Sequence, residues 1–193
     1  MTKKKLIVSL CAFVLVVAVG VVGVLAATSV SSTISTQVGF TATDVVGTAT
    51  LSVSNNGDVV QIEGQNTYVW TFAHSTEQRN FQSAKVNVDA QNFQEVAGAY
   101  IEYKFVIRND GDKAFTVTPT ITDGEGQTLT AIENVTITSE LKVGATELDA
   151  TTAVAGSTQV AKTNIAVYTY RMTINDISKS VAETTLNIQI VLQ

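Results

Sequence analysis

The sequence predicts an all-β fold, an antiparallel β-sandwich of the jelly-roll or immunoglobulin-like kind, behind one hydrophobic N-terminal helix. Three observations carry that prediction. Apolar and polar residues after Ala27 alternate at a period close to two almost throughout. Thr and Val, which suit a pleated half-buried surface, are abundant, and the chain has 1 proline. Short turns rich in Asn, Asp and Gly separate the alternating segments, and amphipathic helical spacing is almost absent.

The N-terminal run breaks the alternation. Leu6 to Ala27 holds 22 residues without a charge, and at ~1.5 Å per helical residue this spans the ~30 Å core of a bilayer. Lys3, Lys4 and Lys5 form the basic flank that keeps the N-terminus inside. Val24-Leu25-Ala26 and Leu25-Ala26-Ala27 each offer a small-residue cleavage site, with the cut expected at Ala26 or Ala27. The run is longer than the ~7 to 15 residues of an ordinary secretory core. Residues 1–26 therefore read as a signal peptide or, if retained, a signal anchor; cleavage is the preferred reading. Either way Thr28 to Gln193 lies outside the cytoplasm, secreted, extracellular or on the cell surface, and meets the membrane only through the N-terminal segment.

Cys11, the only cysteine, lies inside this run, so no disulfide staples the exported part. Residues 27–193 form one domain long enough to rest on its own core. Without Lys3, Lys4 and Lys5 the 12 Lys+Arg fall to 9 against 17 Asp+Glu, a net charge of −8. That surface repels nucleic acid, which is excluded as a partner.

About nine strands follow. Ile34 to Ala42 is the first, and "GTATLSVS" aligns Ala49, Leu51 and Val53 before the turn "NNGD". "TYVWTF" aligns Tyr68, Trp70 and Phe72, and "KVNVDA" aligns Val86 and Val88. "YIEYKFVIR" sets Ile101, Tyr103, Phe105 and Ile107 on one face; "NDGD" reads as a tight turn, and "KAFTVTPTI" as the returning arm of a hairpin. Pro119 cannot donate to a ladder, which places that arm at an edge or ends it there. "NVTITSELKV", "AVYTYRMTI" and "TTLNIQIVL" complete the set. Helical turns are expected only in 74–83 and 90–98.

Site chemistry is sparse. His74 is the only histidine, which rules out a two-histidine zinc site or a His-paired nucleophile within one chain. Asp110 with Asp112, and Asp123 with Glu125, sit in turns without the spaced acids of a calcium loop. Asn134 heads the glycosylation triplet "NVT", which Thr-rich strands also produce by chance. Lys104 and Asn109 flank one turn of the expected hairpin, the wrong arrangement for an isopeptide bridge between strands. No enzyme activity, metal or cofactor is expected.

The basic leader with its alanine pair, "GFTATDVVGTATLSVSNNGD", "YKFVIRNDGDKAFTV" and the terminal "TTLNIQIVLQ" together resemble the TasA/camelysin group of exported proteins. The resemblance runs over most of the chain in order and pattern. It implies a jelly-roll domain, removal of the leader by a SipW-type signal peptidase, and subunits of extracellular matrix fibres. Two departures stand out: Thr28-Ser29 replace the aromatic residue that often follows the leader's alanines, and a Pro-Gly-Asp turn is missing. Camelysin has been described as a metallopeptidase, for which this chain lacks an H-E-x-x-H motif.

The expected function is a structural one, a self-assembling subunit of a cell-surface or biofilm-matrix filament. Its assembly strand is residues 28–42, with Ile34, Val38, Phe40 and Ala42 on one face, folded on its own sheet or donated to the next subunit. A chain starting at Asp44 is then expected to stay folded without polymerising. The alternative is a membrane-anchored adhesin or carbohydrate-binding surface module.

Overall fold

A computed structural model describes residues 33–72, 81–152 and 156–193. The expected signal helix with Cys11, the expected cleavage positions Ala26 and Ala27, and His74 lie outside the described residues, as does most of the helical turn expected in 74–83, whose described end, from Phe81, is strand.

Regular structure consists of β1 (Thr33–Thr43), β2 (Gly47–Asn55), β3 (Asp58–Val60), β4 (Tyr68–Phe72), β5 (Phe81–Asn92), β6 (Tyr100–Asn109), β7 (Phe115–Asp123), β8 (Val135–Gly144), β9 (Thr151–Thr152), β10 (Thr158–Val160), β11 (Ile165–Ile174) and β12 (Thr184–Leu192). One sheet runs β10-β7-β12-β1-β5; the other runs β3-β2-β6-β11-β8-β9, with β4 also on β2. Their inner faces share one apolar core, so the fold is a β-sandwich. The strands number twelve rather than about nine because β3, β9 and β10 span 3, 2 and 3 residues, too few to show alternation. No α-helix occurs among the described residues, and the helical turn expected in 90–98 is instead the end of β5 followed by a loop.

The period of two is what fills the core. Ile101, Tyr103, Phe105 and Ile107 of β6 are fully buried, as are Leu186, Ile188, Ile190 and Leu192 of β12. The "NNGD" turn joins β2 to β3 with Asn55 opposite Asp58. Asn56 and Gly57 have φ of 52° and 93°, the doubly left-handed pair of a two-residue hairpin that Asn-Gly accommodates best.

"NDGD" does something else, and here the hairpin expectation fails. β6 pairs with β2 and β11, whereas β7 pairs with β12 and β10 in the opposite sheet. The turn is an arch between sheets. Two adjacent strands with one apolar face each can lie side by side or face each other across a core, and local alternation is the same in both cases. Asn109 settles the geometry: fully buried, it donates Nδ2 to the carbonyls of Lys113 (2.8 Å) and Val160 (2.9 Å) and accepts Gly111 N–H at 2.9 Å. Its own N–H donates to Asn164 O, and its carbonyl accepts Thr163 N–H. One residue, by side chain and backbone together, thus ties both sheets and the segment between β10 and β11 at one corner.

Candidate functional site

Of the assembly strand expected at 28–42, residues 28–32 lie outside the described residues; the rest falls in β1, inside its sheet between β12 and the edge strand β5. β1 pairs antiparallel with β5 and parallel with β12, from Ile34 opposite Thr184 to Ala42 opposite Leu192. This is the one parallel pair among the described strands and departs from the antiparallel expectation. Ile34, Val38 and Phe40 are fully buried and Ala42 is 2 % exposed. Phe40 crosses the core into an aromatic cluster, with its ring centroid 4.6 Å from Trp70, 5.7 Å from Phe72 and 6.1 Å from Phe105. A chain starting at Asp44 would lose all of these and split the sheet between β5 and β12, so it is not expected to keep the fold.

Thr36 shares the buried face and lies outside the expected set. Its hydroxyl is 2.7 Å from the Tyr103 hydroxyl across the core. A threonine between Ile34 and Val38 carries no sequence signal of a partner 67 positions away. On the outer face Gln37 accepts from Lys85 at 3.2 Å and donates to Asn87 at 3.2 Å, while Gln189 donates to Thr41 at 2.9 Å.

The link from β1 to β2 is Asp44-Val45-Val46, which crosses from one sheet to the other. Asp44 has φ of 54°, in the left-handed region that costs an L-residue but that aspartate tolerates. Beyond the link Gly47 fixes the start of β2: a Cβ there would come 2.1 Å from the Arg108 carbonyl oxygen.

The acidic turns are engaged structurally. Asp110 pairs with Arg108 at 2.7 Å and Asp112 with Lys162 at 2.5 Å. Asp123 Oδ1 accepts the N–H groups of Glu125 and Gln127, closing its own turn. Lys104 and Asn109 lie on the same strand, and Lys104 pairs with Glu147. Asn134, at φ 62°, donates its amide to the carbonyls of Asp176 and Lys179 and accepts Asp176 N–H, so the triplet marks a loop clamp.

Two open depressions flank β8. One, ≈ 370 Å³, lies in the seam between the sheets and is lined by Pro119, Ile121, Leu141 and Tyr168 with Glu140 at its rim. The other lies on the outer face around Glu102, Glu140 and Arg171. Arg171 holds Glu102 at 2.5 Å and stacks over Tyr100, with 4.3 Å from guanidinium to ring centroid. Lys142 binds Glu140 at 2.8 Å, and its hydrogen bond, with another from Thr152, holds that carboxyl below its ordinary pKa. Each of these two acids is paired with a cation. Trp70 is 7 % exposed and Tyr103 fully buried, which leaves neither available for sugar stacking.

No protein-family model matches the chain, and no curated protein matches it.

Proposed function

We propose that the chain is an exported jelly-roll subunit of a cell-surface or biofilm-matrix filament, assembled by donation of β1 between copies. The observation that carries this reading is the way β1 is held. It lies inside a sheet, parallel to β12 and next to the edge strand β5, yet is joined to the sandwich on its C-terminal side only by Asp44-Val45-Val46. Once a signal peptidase removes residues 1–26, β1 begins within a few residues of the new N-terminus. It can then leave one sheet and enter the same slot in another copy without unthreading a loop. Opening the link also lets Asp44 leave its left-handed backbone conformation. The donor and the slot are different surfaces, so exchange propagates head to tail.

The register supplies the test. Thr41 and Ser83 are direct partners of β1 and β5. Thr41→Cys/Ser83→Cys in a Cys11→Ser background, oxidised under assembly conditions and run without reductant, reads which chain supplies β1. Donation gives a covalent ladder of multimers accompanied by filaments in electron micrographs. A monomer with an internal disulfide and no ladder refutes donation. N-terminal sequencing of the same exported material reports the cut, expected before Ala27 or Thr28.

A further inference from the structure

The sheet that holds β1 ends on β5, and among the described residues no strand pairs with its outer edge. An edge of 12 residues leaves every second backbone N–H and C=O pointing outward without a ladder partner. Some other edges are filled or blocked, although β9 covers only Lys142 and Val143 of the 10-residue outer flank of β8. β3 and β4 together fill the outer side of β2, and Pro119 removes the N–H where β7 runs past β10. β5 contains no proline, and its one lysine, Lys85, faces no acid within the sheet; its Nζ reaches Gln37 Oε1 at 3.2 Å.

The sequence of β5 reads alike from both directions about Asn87. Val86 and Val88 flank it, then Lys85 and Asp89, then Ala84 and Ala90. Lys85, Asn87 and Asp89 are exposed, and Val86 and Val88 are buried beneath them. Asp89 makes no ion pair among the described residues. A second β5 laid antiparallel with its centre at Asn87 sets Lys85 opposite Asp89 twice, Val86 opposite Val88 twice, and Asn87 opposite itself. Sliding the centre by two residues sets Lys85 against Lys85, or Asp89 against Asp89. Cross-strand pairs of opposite charge stabilise and like pairs destabilise, so the charges select one register.

We propose that β5 is a self-association edge at which two copies of this chain join antiparallel about Asn87, extending the sheet through a two-fold axis. Between Val88 and Gln91, β5 carries one more residue than the facing stretch of β1, and Asn92 O is already bound by Asn55 at 2.7 Å. Straight pairing therefore covers the short stretch around Lys85 to Asp89, which makes each contact weak and repetition its source of strength. Among the described residues the edge is open whichever chain supplies β1. It therefore does not depend on donation, and in a filament it would join neighbours side by side.

The test uses the full chain in mild non-ionic detergent. Asn87→Cys in a Cys11→Ser background should form a disulfide-linked dimer on gentle oxidation, because directly opposite residues lie within disulfide reach. Thr138→Cys, exposed on the other sheet, should not. By sedimentation, Lys85→Glu and Asp89→Lys should each weaken association roughly tenfold, since each places like charges at both contacts. Mixing the two variants puts opposite charges back at both contacts between unlike chains, and should restore association. A monomeric Asn87→Cys chain, or single variants that associate like the parent, would overturn the proposal. Multimer ladders from the Thr41/Ser83 cysteine pair without Asn87 cross-links would overturn β5 pairing alone; Asn87 dimers without those ladders would overturn donation alone.

Discussion

Thr36 on β1 and Tyr103 on β6 share a buried hydrogen bond of 2.7 Å that joins the two sheets through the core. Tyr170 lies beside it, with ring centroids 6.5 Å apart, and its own hydroxyl has no partner among the described residues. The pair acts as a register check. Sliding β1 by two residues would bring Ile34 or Val38 to Tyr103 and leave a second phenol unpaired in the core.

Thr36→Val should therefore cost ~1–3 kcal/mol, the penalty for a stranded buried hydroxyl. Thr36→Val/Tyr103→Phe should recover much of that loss, because both partners are then apolar. Urea denaturation of the single and double variants measures the coupling. Strictly additive losses would mean that the bond has no role in register.

Alkaline pH should unfold the protein earlier than its lack of disulfides alone explains. Burial pushes the phenols of Tyr103 and Tyr168 up to about 12, against the smaller opposing effect of their hydrogen bonds to Thr36 and Ser139. Tyr170 is raised further, first by burial and then by its tyrosine neighbours. Unfolded tyrosine ionises near ~10. Between those values the unfolded chain has released protons that the folded chain keeps, so stability is full below ~10 and falls as pH rises toward 12. Melting curves from pH 8 upward, with phenolate absorbance of Tyr→Phe variants, check this. Ionisation of these three near 10 in folded protein would contradict it.

Asn109→Asp should be destabilising in a pH-dependent way. The substitution removes both amide donors and points a carboxyl at the carbonyls of Lys113 and Val160, which raises its folded pKa. A raised folded pKa means that stability is lost as pH rises above the unfolded value of ~3.9. The deficit against the parent should thus be smallest below pH 4 and grow toward neutrality, as thermal melts across that range would reveal. A deficit independent of pH would place the side chain in contact with water.

The sandwich is legible in the sequence because alternation over nine or ten residues is imposed by burial of one face, as in β6 and β12. The pairing of those strands is not. Nothing within "YIEYKFVIRNDGDKAFTV" distinguishes a hairpin from an arch, because the decision rests on Val160, Asn164 and Thr163, fifty or more positions downstream. Alternation reveals the buried face of β1 at Ile34, Val38, Phe40 and Ala42 but passes over Thr36, since its partner is a tyrosine hydroxyl that period alone treats as apolar. The symmetry of β5 is present in "AKVNVDA" and acquires meaning only because β5 is an edge.

Asn134 separates backbone from side-chain effects. Asn134→Gly keeps the left-handed backbone and loses the clamp to Asp176 and Lys179, whereas Asn134→Ala loses both. Alanine should be the less stable of the two by ~1 kcal/mol, measured as a shift in denaturation midpoint. Equal midpoints would remove backbone conformation from the account.

Chelation should leave the thermal midpoint unchanged, since Asp110, Asp112 and Asp123 are bound by Arg108, Lys162 and backbone N–H groups. A fall of many degrees on adding chelator would show that these turns hold a cation.

The parallel pairing of β1 with β12 also dictates an order of events. Thr41 and Gln189, bonded on the finished sheet, are 148 positions apart. A chain emerging N-terminus first presents β1 almost at once and the strand beside it last. Throughout that interval one flank of β1 has no mate in its own chain, and closing so distant a contact is intrinsically slow. Timing, as much as affinity, would then govern whether β1 waits for its own β12 or is taken up by a neighbour already complete.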